Sequence, residues 1–382
     1  MNAPENNAAA LHARLFTLDT HSDTPTAGFL RAGWDFGARH SYADDHSQVD
    51  LPRMRGAVDA MVFAVYVGQM SRTPEGWRAA HERALRCFER TQAVLQEHRG
   101  ECGLALTAGD GLALKAAGKR AIYLSVENSY SLGREAGNVE KFKKLGVRIL
   151  GLTHMLSNDV ADSSTDPRGP EWGGLSPFGR EIVAECNRLG IVLDASHASD
   201  AALRDLLALS KVPVVLSHSG CRAVCDHPRN IGDELLRALA AQGGVIEINA
   251  LPVAVVEAPD GGRTAAFSEM LLRYADTVLT PAVLAAEDED YARVSRSYPK
   301  PVATIGDYIR HIEHAVLVAG IDHVGIGCDF DGGGGVEGLN DVADFPALTQ
   351  TLLNCGWSDV ALTKLWGGNT LRVLRAAEAL SC

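Results

Sequence analysis

Short, almost continuously apolar runs recur along the chain and alternate with segments of helical periodicity. We identify eight such runs, at residues 15–20, 58–67, 121–126, 147–153, 191–196, 212–217, 244–249 and 324–328. Their β-branched and apolar content is typical of strands that are buried on both faces. Helical spacing fills most of the intervals, for example at residues 75–98, 139–145, 176–189, 201–209 and 234–241. Strand–helix alternation repeated eight times predicts an α/β fold, a (β/α)₈ TIM barrel.

The interval between the seventh and eighth runs is about 75 residues long, too long for a single crossover. It contains helical patterns at 264–278 and 305–318, with a charged, proline-bounded segment at 285–301 between them. We interpret residues of about 252–303 as a helical insertion between strands 7 and 8. It is either a lid on the barrel or an additional helix without a role.

The rest of the chain is expected to be one domain. Residues 1–13 are predicted to be a disordered or frayed start, and residues 14–382 a single barrel domain. The alternative fold is a doubly wound open sheet, which would need a glycine-rich phosphate loop after the first strand. Residues 19–25, Asp-Thr-His-Ser-Asp-Thr-Pro, do not form such a loop.

Six of the eight runs end in histidine or a carboxylate. The residues concerned are His21 and Asp23, Glu127, His154, His197, His218, and Asp329 with Asp331. Because all strands of a parallel barrel end on one face, these side chains are expected to converge there. Asp331 precedes four glycines, and we interpret it as a turn residue. His12 and His311 lie outside this pattern and are expected at the surface.

A single buried histidine is more often a hydrogen-bonded core residue than a metal ligand. Four imidazoles and three carboxylates in one cup, however, would be costly to bury without a metal. The spacing of His21 and Asp23 places both side chains on one side of a strand. Imidazole with carboxylate suits zinc and related divalent ions, so the pattern predicts a metal site.

Composition narrows the classes of protein that remain. The 382 residues are 46% hydrophobic and 22% charged, which is typical of a globular protein. A net charge of -12 does not favour binding to nucleic acid or to an anionic membrane, which both attract basic proteins. We find no apolar run long enough to span a membrane, no secretory signal and no apolar tail for a lipid anchor. The eight scattered cysteines are expected to be reduced thiols in the cytoplasm.

Together these residues resemble the membrane dipeptidase (renal dipeptidase) family of amidohydrolase-like barrels. The similarity runs in order from about residue 15 to residue 375. It includes the segments at 217–218, 229–230, 327–332 and 366–372, in addition to the strand-end residues. The chain departs from many relatives at Asn128-Ser129, where they have two glycines, and at Ser22, where they have asparagine. These departures leave the ligands in place and bear on substrate preference.

The resemblance implies a binuclear zinc site. His21 and Asp23 would bind the first Zn²⁺, and His197 and His218 the second. Glu127 would bridge both ions, together with a water or hydroxide.

The resemblance also implies the groups that act on the substrate. Asp329 would carry the proton, and His154 would lie near the substrate carbonyl. Arg229 would hold the substrate carboxylate, with Asn230 beside it. From the residues alone, a surface salt bridge within 226–233 is the preferred interpretation of Arg229.

The implied activity is zinc-dependent hydrolysis of the peptide bond of dipeptides, including those with a C-terminal D-residue. The alternatives are another binuclear-metal amidohydrolase, such as a lactonase or N-acyl amino acid hydrolase, and a non-enzymatic metal-binding barrel. A glutamate at position 127, rather than a carboxylated lysine, favours the dipeptidase. Asp329 argues against a binding protein, which would need no proton carrier. A small dipeptide is the expected partner, and a homodimer is compatible with this interpretation.

Overall fold

Eight parallel strands follow one another in chain order around a nearly closed barrel. The computed structural model describes residues 4–380. The barrel strands are β1 (Leu18–Ser22), β2 (Ala60–Tyr66), β3 (Arg120–Glu127), β4 (Val147–Gly151), β5 (Val192–Asp194), β6 (Val215–Cys221), β7 (Val245–Ile248) and β8 (Val324–Ile326). Next to β8, the chain meets β1 through a parallel bridge between Ser22 and Phe330. The predicted (β/α)₈ barrel is confirmed.

Helices surround the barrel and continue beyond its last strand. They are α1 (Pro4–Arg14), α2 (Tyr42–Asp45), α3 (Leu51–Met54), α4 (Pro74–Glu97), α5 (Ala108–Ala116), α6 (Asn138–Lys144), α7 (Pro177–Leu189), α8 (Asp200–Leu209), α9 (Asp233–Ala241), α10 (Pro252–Val255), α11 (Arg263–Tyr274), α12 (Pro281–Ser297), α13 (Ile305–Ala319), α14 (Phe345–Asn354), α15 (Asp359–Thr363) and α16 (Asn369–Leu380). Two short strands, Cys102–Leu104 and Asn230–Ile231, pair in parallel with β3 and β6 respectively. Within residues 4–380, no helix has the length and apolar character that a membrane crossing requires.

Local sequence signals explain where the major helices begin. Thr73 and Ser176 accept hydrogen bonds from the backbone N–H groups of Gly76 and Gly179, and a proline follows each cap. Such caps satisfy helix N–H groups that have no intrahelical partner, and proline suits the first turn because it lacks an N–H. The helices predicted between the strands therefore begin within about two residues of their expected positions.

The last helix closes the N-terminal end of the barrel. Leu371 and Leu374 of α16 share an apolar cluster with residues that begin the strands, including Leu18, Val192 and Val245. This end is thus filled with apolar side chains, so the space that remains for polar chemistry lies at the opposite end. That is the end at which the predicted site residues emerge.

Three helices, α10 to α12, lie between β7 and α13, over the residues interpreted as an insertion. Met270, Tyr274 and Val294 form a small apolar cluster of their own there. The helix α12 includes most of the charged, proline-bounded segment, and Val283 and Leu284 near its start pack against the main core. The insertion is therefore folded and attached to the barrel.

The expectation of a frayed start requires correction. Residues 4–14 form α1, in which Ala8 and Leu11 are buried, and residues 1–3 lie outside the described residues. His12, expected at the surface, is also buried and forms hydrogen bonds to Thr349 Oγ1 at 2.7 Å and Ala57 O at 2.8 Å. A short amphipathic segment gives little local signal, and its order here comes from tertiary contacts.

Candidate metal centre

The C-terminal ends of the strands bring histidines and carboxylates from distant parts of the chain into one buried cup. The side chains concerned are those of His21, Asp23, Glu127, His154, His197, His218 and Asp329. Three overlapping sets have ligand atoms within 4.8 Å of one another: His21, Glu127 and His218; Glu127, His154 and His197; and His21, Asp23 and Asp329. The convergence expected from the strand ends is therefore present.

Glu127, the last residue of β3, stands at the centre of the cup. Its Oε1 lies 3.1 Å from His197 Nε2 and 3.4 Å from His218 Nε2. Its Oε2 faces the other way, 3.5 Å from His21 Nε2, which is itself 3.7 Å from Asp23 Oδ2. The two oxygens of one carboxylate thus face two different groups of ligand atoms, which is the arrangement of a bridging ligand.

Hydrogen bonds below the cup orient His218. Ser217 Oγ donates to Asp194 Oδ2 at 2.5 Å and lies 2.8 Å from His218 Nδ1. A hydroxyl that donates to the carboxylate must accept from Nδ1, so the proton of His218 is on Nδ1. The lone pair of His218 Nε2 is then directed at Glu127, as a metal ligand requires.

A second carboxylate, Asp19, holds the His21 side of the cup. The Asp19 carboxylate accepts two hydrogen bonds, from the backbone N–H of His21 to Oδ1 at 2.9 Å and from that of Cys328 to Oδ2 at 3.0 Å. It therefore joins β1 to the segment after β8 where these strands are not fully paired. Sequence reasoning noted Asp19 only as part of the first strand end, because its fully buried position depends on the closure of the barrel.

Burial and mutual electrostatics set the protonation of the cup. Burial lowers the pKa of His197 and of His218 well below the usual range, so both imidazoles are neutral. Against the effect of burial, the imidazoles of His21 and His154 hold the pKa of Glu127 well below its usual value. His197 and His218 thus present neutral imidazoles to an ionised Glu127, the protonation states of metal ligands. Against the effect of burial, the Glu127 and Asp23 carboxylates hold the pKa of His21 well above its usual value, so a metal ion would displace a proton from this imidazole.

The residues fit divalent metal ions. His21 Nε2, Asp23 Oδ1 and His197 Nδ1 are buried atoms without a hydrogen-bond partner. Unpaired buried polar atoms are costly, and a cation between Asp23 and Glu127 would satisfy those that face the cup. Nitrogen and carboxylate oxygen donors at a barrel mouth suit zinc, whereas magnesium and calcium prefer oxygen alone.

Asp329 lies at the rim of the same cup. Its Oδ1 is 3.9 Å from His21 Nε2, and its backbone has a left-handed φ of 62°. Gly332 permits this position, since a Cβ there would lie 2.2 Å from Asp23 Oδ2 and 2.3 Å from Asp329 Oδ1. Burial raises the pKa of Asp329 to about 8, and the Asp23 and Glu127 carboxylates contribute to the rise. A carboxyl with this pKa can take up and release a proton near neutral pH.

Asp331 behaves as the sequence suggested, as a turn residue. Its carboxylate accepts from Thr24 Oγ1 and from the Gln48 backbone N–H, both at 2.6 Å. These bonds fix the loop after β8 against the loop after β1.

Arg229 presents a buried cation to the cup. It follows β6, and its Nη2 donates to His218 O at 3.0 Å. Among residues 4–380 no carboxylate forms a salt bridge with it, although Asp329 and Glu127 lie close enough to influence it. Burial lowers the pKa of Arg229 to about 10, so the guanidinium remains charged. The surface salt bridge preferred from the residues alone is therefore wrong, and the guanidinium is available for an anion.

Asn230, expected to bind substrate beside Arg229, directs its amide at backbone carbonyls of the surrounding loops. Its side chain is fully buried, and its Nδ2 donates to Cys225 O at 2.9 Å and Ala254 O at 2.8 Å. Its backbone pairs with Gly220 at the end of β6. Asn230 thus holds the loop that carries Arg229.

His154 faces the cup through Nε2, which is 4.0 Å from Glu127 Oε1. On its other side, Nδ1 lies 3.2 Å from the hydroxyl of Tyr66. Burial lowers the pKa of His154 to about 4 and raises that of Tyr66 well above its usual value. The tyrosine therefore keeps its proton and can donate it to Nδ1; in that arrangement the neutral imidazole carries its own proton on Nε2, towards the cup.

Sequence reasoning missed Tyr66. It is the last residue of β2 and is paired in register with Glu127 of β3, so it belongs to the same layer of strand-end side chains. A tyrosine at the end of an apolar run is normally interpreted as a core residue. Only its pairing with Glu127, which the sequence does not show, places it in the site.

Comparison with known proteins decides the family. A family profile described as "Membrane dipeptidase (Peptidase family M19)" matches residues 5–382. The chain belongs to the membrane dipeptidase family, peptidase family M19. As a member it is a metallo-dipeptidase, and the family predicted from the sequence is confirmed.

Similar proteins span nearly the whole chain. Dipeptidase verJ of Clonostachys rogersoniana is 32% identical over 388 residues, covering 98% of this chain and 88% of its own. The probable dipeptidase PvdM from Pseudomonas aeruginosa has a TM-score of 0.83 and 27% identity, covering 99% of each chain. A metallopeptidase from Rhodobacter sphaeroides, liganded with a phosphinate mimic of the dipeptide L-Ala-D-Ala, has a TM-score of 0.76 and 25% identity, covering 95% of this chain and 99% of its own.

Proposed function

We propose that this M19 member is a zinc-dependent dipeptidase with two Zn²⁺ ions in the cup. His21 and Asp23 would hold one ion, His197 and His218 the other, and Glu127 would bridge them. The split orientation of the Glu127 oxygens supports this assignment most directly. When bound, the two ions supply a water of lowered pKa and polarise the scissile carbonyl.

Arg229 selects the substrate. Its guanidinium can receive the C-terminal carboxylate of a peptide through two parallel hydrogen bonds, which lysine cannot reproduce. Because this cation lies beside the metal ligands His197 and His218, a substrate that reaches it has only one residue beyond the scissile bond. The site therefore favours dipeptides over longer peptides.

His154 and Asp329 act on the reacting groups. The Nε2–H of His154 would donate to the carbonyl oxygen as negative charge develops there. Asp329 would accept a proton from the attacking water and deliver it to the leaving amine. Its raised pKa and its position beside His21 suit this transfer.

Dipeptides with a C-terminal D-residue belong to the proposed substrates. The similar Rhodobacter sphaeroides metallopeptidase is liganded with a phosphinate mimic of L-Ala-D-Ala. We also propose the cytoplasm as the compartment. The seven described cysteines are free thiols, as expected of a reducing environment.

The role of Arg229 distinguishes a dipeptidase from a lactonase or another metal-dependent hydrolase, and it can be tested by removing either partner. Amidation of the C-terminal carboxylate should lower kcat/KM of the native protein by roughly ten- to a hundredfold, as expected for a hydrogen bond between charged groups. Arg229→Met should lose a similar factor with the free acid. The two losses should not multiply, because both remove the same contact.

A panel of L,L and L,D dipeptides, their C-terminal amides, N-acyl amino acids and lactones provides the measurement. The exposed Arg237→Met is the matched control and should retain native rates. Equal cleavage of acid and amide by the native protein would contradict carboxylate recognition, and preferential hydrolysis of lactones would replace the proposed function.

Tyr66→Phe should lower kcat by about three- to tenfold, the range for loss of one neutral hydrogen bond. Without the phenolic donor, the proton of His154 is no longer restricted to Nε2, while the shape of the cup is retained. KM for dipeptides should change little, since Arg229 is intact. Steady-state kinetics with the exposed Tyr42→Phe as control checks this, and an unchanged kcat would show that Tyr66 does not orient His154.

A further inference from the structure

The insertion forms a wall of the substrate cleft. The insertion leaves the barrel after β7. Between α11 and α12, the backbone carbonyl of Thr277 accepts a hydrogen bond from the backbone N–H of Ser71 at 2.8 Å. Ser71 follows β2. At the end of the insertion, Lys300 Nζ donates to Gly333 O in the loop after β8. The segment that contains α12 is thus anchored on both sides of β1 and passes over that side of the barrel mouth.

α12 is attached to α11 and also borders the cleft. Tyr291 packs edge-on against Phe267 of α11, with ring centroids 5.5 Å apart, and Asp290 accepts from Tyr274 Oη at 2.9 Å. Glu287 is one turn before Tyr291, and Asp329 influences Tyr291 electrostatically. The contacts with α11 therefore fix the position of α12 beside the barrel mouth.

The Glu287 carboxylate reaches the Tyr66 end of the metal cup. A Cβ placed on Gly68 would lie 3.5 Å from the Tyr66 hydroxyl and 3.8 Å from Glu287 Oε1, so both groups border the same small space. After burial, Glu287 contributes more than Glu127 to the raised pKa of Tyr66. The insertion therefore brings a carboxylate close to the Tyr66–His154 pair.

The Glu287 carboxylate lacks a salt-bridge partner within the part of the chain that the structure describes. Glu287 is half-buried, and within residues 4–380 no lysine or arginine forms a salt bridge with it, although Arg83 lies close enough to affect it electrostatically. Burial and the neighbouring Asp288 raise its pKa, and Arg83 offsets this rise only in part. A positively charged group of a ligand would supply the missing partner.

Barrel geometry indicates which part of the substrate meets Glu287. Arg229 follows β6, whereas Tyr66 ends β2, and these two strands are opposite each other in a barrel of eight. A dipeptide whose carboxylate is on Arg229 and whose carbonyl is at the centre must extend its N-terminal residue towards β2. The cation that reaches Glu287 therefore belongs to that residue.

We propose that Glu287 is a specificity-determining residue that binds a cationic group on the N-terminal residue of the dipeptide, either its α-ammonium or a basic side chain. This inference rests on the proposed dipeptidase function. Glu287 contacts the substrate across the cleft from Arg229. Arg229 thus binds the carboxylate of the dipeptide, and Glu287 binds the cation on its N-terminal residue.

Four substrates with free C-termini separate the possibilities. Lysyl-alanine carries both cations, norleucyl-alanine only the α-ammonium, 2-hydroxyhexanoyl-alanine neither, and glutamyl-alanine an opposing charge. Glu287→Gln should lower kcat/KM for a substrate with the recognised cation by about three- to tenfold, a range suited to a half-exposed charge pair. The exposed Glu289→Gln on the same helix is the control and should leave all four rates unchanged.

The pattern of losses identifies the group. A loss confined to lysyl-alanine assigns the side chain, and equal losses for lysyl- and norleucyl-alanine with none for the hydroxy analogue assign the α-ammonium. If the side chain is the recognised group, charge reversal by Glu287→Lys should raise the rate of glutamyl-alanine relative to lysyl-alanine. No loss with any substrate, or the same loss for the hydroxy analogue, would overturn the proposal. Failure of the native protein to cleave any dipeptide would instead refute the dipeptidase function, and this inference with it.

Discussion

Prolonged chelation is expected to abolish hydrolysis of dipeptides completely, and addition of Zn²⁺ is expected to restore it. The cup holds buried donor atoms without partners. Asp329 can accept a proton, but it does not lower the pKa of the attacking water or polarise the carbonyl, as bound metal ions would. Elemental analysis of the purified protein should find about two divalent ions per chain. His197→Ala should lose one of them, because it removes a nitrogen 3.1 Å from the bridging carboxylate.

An exposed histidine provides the control for this experiment. His46→Asn should retain both metal ions and native rates, since His46 lies outside the cup and asparagine tolerates its left-handed backbone. Fully active protein with no metal, or with one ion, would contradict the binuclear site. Zinc-free protein with full activity on another divalent ion would correct only the identity of the metal.

Asp329→Asn is expected to lower kcat by roughly 10²–10⁴-fold, the usual contribution of a general acid–base group. An amide cannot shuttle the proton from water to the leaving amine, whereas its size and its place beside Gly332 are unchanged. KM should be affected far less than kcat, and the metal content should stay at its native value. Single-turnover kinetics together with elemental analysis checks both expectations.

Two comparisons make the Asp329 result decisive. The exposed Asp322→Asn, seven residues before it, should behave as the native protein, since its pairing with Lys364 is at the surface. If Asp329→Asn loses metal in parallel with activity, Asp329 is a ligand to the ion near His21 rather than a proton carrier. Undiminished turnover would remove it from the mechanism.

The strands and the site residues at their ends were largely predictable. Parallel strands buried on both faces need continuous apolar sequence, so the first polar residue after each run marks the mouth of the barrel. For the same reason Glu127, His154, His197 and His218 could be placed together before any contact was known. The family resemblance then supplied roles that spacing alone leaves open, such as that of Arg229.

Other features depended on contacts between distant segments. His311 was expected to be solvated on its helix, yet it is buried, and its Nε2 lies 3.0 Å from Val255 O in the insertion. Asn230 follows Arg229 in sequence, but its backbone pairs with β6 and its side-chain amide forms a hydrogen bond with the backbone of the surrounding loop. Hydrophobic periodicity describes one segment at a time, so it does not show which of its polar residues another segment will bury.

The sequence by itself determined the barrel, its order of strands and the ring of histidines and carboxylates at the strand ends, because hydrophobic burial and strand polarity act locally. Only the tertiary structure decided how each side chain is used. Tyr66 lies 3.2 Å from His154 Nδ1, the two oxygens of Glu127 face different histidines, and α12 places Glu287 near Tyr66 at the end of β2 rather than near its origin after β7. These features depend on distances of a few ångströms between residues far apart in the chain, and such distances exist only once the barrel has closed.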